Sequence, residues 1–438
     1  MASASSPPRS VLILGAGISG LTCALRLAEQ GHDVTVMEGS DQLGGLGTFF
    51  EHDGRTFEKF YHCMLPSDGP LLGVLEHLGL TDEIYWRPSS FAYAHAGRIF
   101  PLNTPVDLLR FSPLPFLDRI RVGITGAWGR VCSDKGLDDM TTSQWLQGLS
   151  GKRAFATFWK PMLEAKFGDR YHDVPALWFW TRFNREKGES KGEVKGYIRG
   201  GYQRITETFA SRLKDLGVTL RLNEKIESID LDANGTPFVQ TVKGQFQADE
   251  LLITLPWPTL TKVASAAFKQ RASVPTWDID FQGVINHVLF LKRPLTKHYW
   301  LATPEPTHPF DGVVETSTLT DEADRGQGRH VVYLTKYVHR TDPRFTQPEE
   351  EIKQTWFKAL QKLFPDLKAE DLEADYLFRA PFVEPIYTRG FSRKRPPEVL
   401  IPGLASLATT AQVYPVVTSW NGSVIQADKT VGLLKSAS

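Results

Sequence analysis

The stretch Val11–Glu38, VLILGAGISGLTCALRLAEQGHDVTVME, restricts the fold more than any other part of the chain. Val11–Leu14 is four apolar residues without polar alternation, as in a parallel strand buried on both faces. Gly15, Gly17 and Gly20 follow as G-x-G-x-x-G. The first glycine permits a tight turn, the second lets a pyrophosphate approach the backbone, and the third lets a helix pack on the strand. Leu21, Leu25 and Ala28 recur at helical spacing, and Gly31 closes the helix. Asp33–Met37 is a second strand with Glu38 at its tip. A carboxylate there accepts hydrogen bonds from an adenosine ribose and repels a 2′-phosphate. The segment therefore predicts a βαβ unit that binds a dinucleotide.

Gly44-Gly45-Leu46-Gly47-Thr48 adds a second glycine-rich turn, flexible enough to wrap the other side of the same ligand. The next segment, FEKFYH (57–62), mixes aromatic and ionisable residues and is placed to border the reactive part of a cofactor. The candidate cofactor-binding residues from this region are Gly15, Gly17, Ile18, Ser19, Gly20, Glu38, Gly39, Gly44–Thr48, Tyr61 and His62. His62 has three readings: proton acceptor, polar contact to the cofactor, or a structural histidine.

At 438 residues the chain has room for two domains. The 50 basic and 50 acidic residues cancel, so no global field favours nucleic acid. Cys23, Cys63 and Cys132 are widely spaced and form no C-x-x-C, which argues for a reducing, cytoplasmic compartment and against a metal site. Residues 1–10 lack an apolar core and read as a disordered tail. No apolar run approaches the roughly 20 residues of a spanning helix.

Two kinds of segment alternate along the chain. Residues 11–90, 192–280 and 386–438 carry the glycine turns, buried strands and flanking helices of a cofactor domain, including strands at Lys225–Leu231, Phe238–Val242 and Glu250–Leu255 and a helix near Asn421–Leu434. Residues 91–191, mainly helical, and 281–385, strand-rich, form a substrate domain. Within the first of these, 102–131 mixes Leu, Phe, Pro and Arg. Such a segment either packs as a helical lid, the favoured reading, or rests on a membrane surface. The fold class expected is α/β, a Rossmann-type domain interrupted by a mixed α+β domain.

That order of pieces resembles the superfamily of FAD-dependent amine oxidases, phytoene desaturases and protoporphyrinogen oxidases. The likeness spans nearly the whole chain. It is carried by GAGISG (15–20) with Glu38, by GGLGT (44–48), by GGYQRITETFASRLKDLGVTLRLNEKIESI (200–229) and by DELLITLPWP (249–258). FAYAHAGRIFPLNTPVDLLRF (91–111) and FWKPMLEAKFG (158–168) look closer to the bacterial protoporphyrinogen-oxidase-like group than to amine oxidases proper, and FEKFYH is similar to a stretch of UDP-galactopyranose mutases.

The resemblance implies FAD as cofactor, with Ile226 at the adenine, Pro256 near the flavin, and Pro415, Asn421 and Val424 in the C-terminal part of the site. It also implies that the helix starting near Asn421 directs its N-terminus at the flavin, with Trp420 as pocket wall or as packing. The chain departs from the family in two places. Amine oxidases keep a lysine where Asn286 stands here, and the acid that usually follows a glycine in the last motif is replaced at Gly403-Leu404. Neighbours on a strand point opposite ways, so of Asn286 and His287 at most one faces the site. Lys166 and Arg389 either meet an anionic group of a substrate or form solvated surface.

The catalytic candidates are thus His62, Asn286, Trp420 and Asn421. The function expected is removal of a hydride from a small organic substrate, by C–N or C–C oxidation or desaturation. A non-redox flavin-dependent isomerase of the sugar-mutase type is the alternative, and a protein that merely holds FAD is the third. The partners expected are a small-molecule substrate and no nucleic acid, with peripheral membrane contact at 102–131 left open, in a monomer or homodimer.

Overall fold

The computed structural model describes residues 8–185, 194–304 and 308–436. Ser10–Leu14 lies inside a six-stranded sheet whose order is Val399–Ile401, Ala405–Leu407, Glu250–Ile253, Ser10–Leu14, Asp33–Met37, Thr219–Arg221. All neighbours are parallel except the outermost pair, 399–401 with 405–407. Val11 is in register with Glu250, and Leu14 with both Ile253 and Met37. Leu12, Ile13 and Leu14 are buried, which explains their uninterrupted apolar run.

Two glycines set the turn out of the first strand. Gly15 has φ +105°, and a Cβ on Gly20 would lie 2.0 Å from the Gly15 carbonyl oxygen, so the helix Ile18–Glu29 can seat on the turn only with glycine there. The last helix, Trp420–Ser436, packs against this first helix, with Ser19 Oγ donating to the Ser423 carbonyl at 3.4 Å.

A second, seven-stranded sheet runs Leu372–Pro385, Phe281–Leu291, His330–His339, Gly312–Glu315, Trp300–Ala302, Phe91–His95, Arg98–Pro101. Only the 300–302 and 91–95 pair is parallel. Phe281–Leu291 is buried along its whole length because strands flank it on both sides and helices cover the sheet.

The structure departs from expectation at several places. Residues 1–7 and Lys191 lie outside the described residues, but Arg9 and Ser10 are not tail. Arg9 pairs with Glu250 at 2.9 Å, and Ser10 begins the first strand and bonds Asp249. The helix Gly201–Asp215 starts directly at the glycine pair, where φ of +75° at Gly200 and +68° at Gly201 makes the bend.

The segment 102–131 forms helices Pro105–Arg110 and Phe116–Gly129 and packs on the protein through Phe111, Leu114 and Val122, but it also leaves much apolar surface outside. The longer helix buries Asp118, Val122, Thr125 and Gly129 and turns its large apolar side chains outward. No helix among the described residues is long and apolar enough to cross a membrane.

Candidate functional site

A cavity of about 610 Å³ runs from the first glycine turn to the face of the seven-stranded sheet. Gly17, Ile18 and Ser19 line one end, together with Gly44, Gly45 and Leu46. The two turns are tied together: Gly44 N–H donates to the Ala16 carbonyl at 2.8 Å, and a Cβ on Gly45 would come within 3.2 Å of the Gly17 Cα. Gly17 caps the first helix without a side-chain hydrogen bond, so the N–H groups of the first turn remain available to an anion. Glu38 is fixed beside this cradle. Its Oε2 accepts the Ala16 N–H at 2.8 Å and its Oε1 accepts the Ser40 N–H at 2.9 Å. Free donors, small residues and an oriented carboxylate fit the pyrophosphate and ribose of a dinucleotide.

The other end is built from side chains. Asn286, Tyr61, Trp300, Tyr299, Tyr337 and Lys166 line it. Tyr61 and Tyr337 bring their hydroxyls to 3.2 Å, and the Tyr61 ring meets Trp300 edge-on at 5.4 Å. Asn286 is fully buried; its Nδ2 reaches the Lys59 carbonyl at 3.4 Å and its Oδ1 has no partner. His287 points to the other side of the strand, bonded to Asp375 at 2.7 Å, as alternation requires. Lys166 is an inside residue: it pairs with buried Glu384 at 2.7 Å and sits 3.8 Å over the Tyr337 ring. Arg389 is exposed and does not line the cavity.

His62 lies between the two ends. Its Nδ1 donates to the Phe60 carbonyl at 2.6 Å, since that oxygen can only accept, so Nε2 keeps its lone pair. Burial pushes the imidazole down to about 4, and the ring is neutral at physiological pH. Trp420 forms a wall of the cavity and is also packed: a Cβ on Gly47 would meet its ring at 2.2 Å, and its ring centroid is 4.7 Å from that of Tyr202.

The last helix begins at Trp420, and the Ser419 hydroxyl accepts the Gly422 N–H at 3.1 Å. That takes up one of the donors expected to be free for a ligand's charge. Asn421 also reaches the cavity, and its Oδ1 accepts the Leu71 N–H at 3.0 Å near the start of helix Gly69–His77.

Several expected residues stand back from the cavity surface. Gly15 and Gly20 shape the turn, and Gly47 and Thr48 follow the second loop. Gly39 is exposed beside Lys225, and Ile226 begins the separate three-stranded sheet of residues 226–247. Pro256 lines the cavity, whereas Pro415 and Val424 do not. Val424 is core, and the lining falls instead to Ser423 and to Val417–Ser419. Gly403-Leu404 belongs to the turn between strands 399–401 and 405–407, and Thr409 and Thr410 reach the cavity beyond it. Tyr299, Trp300, Tyr337, Phe382 and Tyr202 join the lining with no short motif to announce them. No cluster of metal-ligating side chains occurs among the described residues.

Residues 18–399 match the family of flavin-containing amine oxidoreductases. The chain belongs to that family. Its chemistry is flavin-dependent oxidation, and this oxidoreductase is similar to the 15-cis-phytoene desaturase of Arabidopsis thaliana, with 24% identity over 84% of this chain and 69% of the relative. The desaturase of Synechococcus elongatus is 23% identical over 81% of this chain and 80% of its own. The fold matches that of putrescine oxidase with putrescine bound at a TM-score of 0.68, 17% identity and coverage of 98% and 99% of the two chains. It also matches reduced UDP-galactopyranose mutase at 0.76, with 16% identity and coverage of 98% and 96%.

Proposed function

We propose that the oxidoreductase binds FAD along this cavity and removes a hydride from a small organic substrate, oxidising a C–N or C–C bond. The observation that carries the reading is the continuity of one cavity from the glycine cradle to an aromatic, side-chain-built chamber. When bound, FAD supplies the ring that accepts the hydride.

The residues of this chain do the rest. The first-turn N–H groups at Ile18 and Ser19 hold the pyrophosphate, and Glu38 holds the adenosine ribose. Trp300, Tyr299, Tyr61 and Tyr337 exclude water and fix the substrate's orientation. Asn286 Oδ1 accepts a hydrogen bond from whatever enters the chamber. His62 acts as a neutral polar contact, because a ring held at about 4 is a poor proton acceptor near pH 7. Lys166, paired with Glu384, sets the charge of the chamber wall. The three free cysteines suit a reducing location such as the cytoplasm.

The test is a visible spectrum of the purified protein, followed by identification of the released cofactor, anaerobic photoreduction and re-admission of air. We expect FAD on release, bleaching by substrate in the absence of air, and reoxidation that distinguishes an oxidase from a dehydrogenase or desaturase. No flavin absorbance after FAD is added would overturn the reading. Activity only in protein reduced beforehand would replace it with the mutase chemistry that the fold also serves.

A further inference from the structure

The helix Phe116–Gly129 is inside out. Its inner positions are Asp118, Val122, Thr125 and Gly129, spaced by four, three and four residues. Its outer stripe is Leu117, Ile120, Ile124 and Trp128, continued by Val131. Leu117 is 66% exposed, Ile124 61% and Val131 76%. Phe116 adds to the same end, and Val106 and Leu109 extend the surface on the preceding helix, Pro105–Arg110.

The helix cannot turn this stripe inward. Buried Asp118 pairs with Arg153 on the helix packed behind it, and Val122 is set in the core. Gly129 is seated on Phe183, whose ring a Cβ would meet at 2.5 Å. Arg119 is also tied back, to the Leu114 and Leu109 carbonyls at 2.6 Å each. An exposed apolar surface held by four such anchors is built to meet a partner.

We infer that this surface docks on an anionic lipid bilayer, with the helix lying in the plane of the headgroups. The charges around the stripe select that occupant. Arg110 and Arg130 are exposed at its margins. Of the nearby acids, Asp118 is turned inward, Asp107 is engaged by the Asn103 and Thr104 N–H groups, and Asp134 stands at the far edge beyond Val131. Apolar residues enter the acyl boundary while arginines lie at the phosphates, as in an interfacial amphipathic helix.

The experiment is co-sedimentation of the purified full chain with vesicles of phosphatidylcholine alone and of phosphatidylcholine with phosphatidylglycerol. We expect binding to the anionic vesicles that weakens with salt and is much weaker on the neutral ones. Ile124→Ser with Trp128→Ser should cut partition by more than about tenfold while the thermal unfolding midpoint stays in place. Leu117→Ser with Ile120→Ser should do the same independently, and Arg130→Gln should weaken binding only where the anionic lipid is present. Absence of binding to anionic vesicles, or partition unchanged by both double variants, overturns the inference. So does a dimer seen by sedimentation that the double variants dissociate.

Discussion

The two ends of the cavity are made differently. The glycine cradle is backbone: Gly17, Gly44 and Gly45 contribute space and the first helix contributes N–H groups. The chamber under the seven-stranded sheet is side chain: Asn286, Trp300, Tyr337 and Lys166 come from separate strands and a helix. A backbone site has no side chain to trim, and it fails completely when a large or charged group fills it. A side-chain site degrades in steps, one contact at a time.

The largest effect should come from breaking the first kind. Gly17→Glu places a carboxylate where the cradle would hold a pyrophosphate, so the folded protein should purify colourless, with flavin affinity lowered at least about a thousandfold. Full, tightly held flavin in that variant would mean that the cradle holds something else.

In the chamber, Lys166→Met strips buried Glu384 of its counter-ion and should cost about 3 kcal/mol of stability, read as a lowered unfolding midpoint, while residual folded protein keeps its flavin. Glu315→Gln probes the same sheet away from the cavity. Burial pushes the Glu315 carboxyl up to about 7. A raised folded value means that its contribution is fully present below the ordinary carboxylate range and is lost as pH rises through about 7. The variant should therefore gain on the native protein across that interval and level off above it, by about 2 kcal/mol, in unfolding curves taken from pH 5 to pH 8. Asn286→Ala should be the mildest: flavin retained and substrate bleaching slowed about tenfold, the worth of one buried hydrogen bond. Equal loss of flavin from Asn286→Ala and Gly17→Glu would erase the distinction between the two ends.

The same distinction explains what can be read from the sequence. Gly15, Gly17, Gly20 and Glu38 are close in the chain and their spacing carries the geometry, so the turn is legible in the order of residues alone. So is the rule that at most one of Asn286 and His287 faces the site, because alternation along a strand is local; which one does comes from the fold. The chamber is not local. Trp300 meets the site through its register with Val314, which pairs in turn with Tyr333, and no short motif records that chain of neighbours.

Lys166 cannot be told from a surface lysine until Glu384 arrives from residues 372–385. Val424 misses the cavity by one residue because successive helical positions diverge by about 100°. The helix Phe116–Gly129 misleads for a related reason: its apolar stripe is visible in the sequence, but its inner face is held by Asp118, Thr125 and Gly129, residues that resemble an outer face.

The strand order of the six-stranded sheet also governs how the molecule is made. Ser10–Leu14 finds one neighbour at 33–37 early in synthesis, but its other partner is Glu250–Ile253, and that strand waits for Ala405–Leu407. Closing loops of this length is slow, and until residues 250–253 emerge the second edge of a largely apolar strand has nothing beside it. A nascent chain of this protein is therefore exposed to chaperones and to misassembly until residues 405–407 emerge.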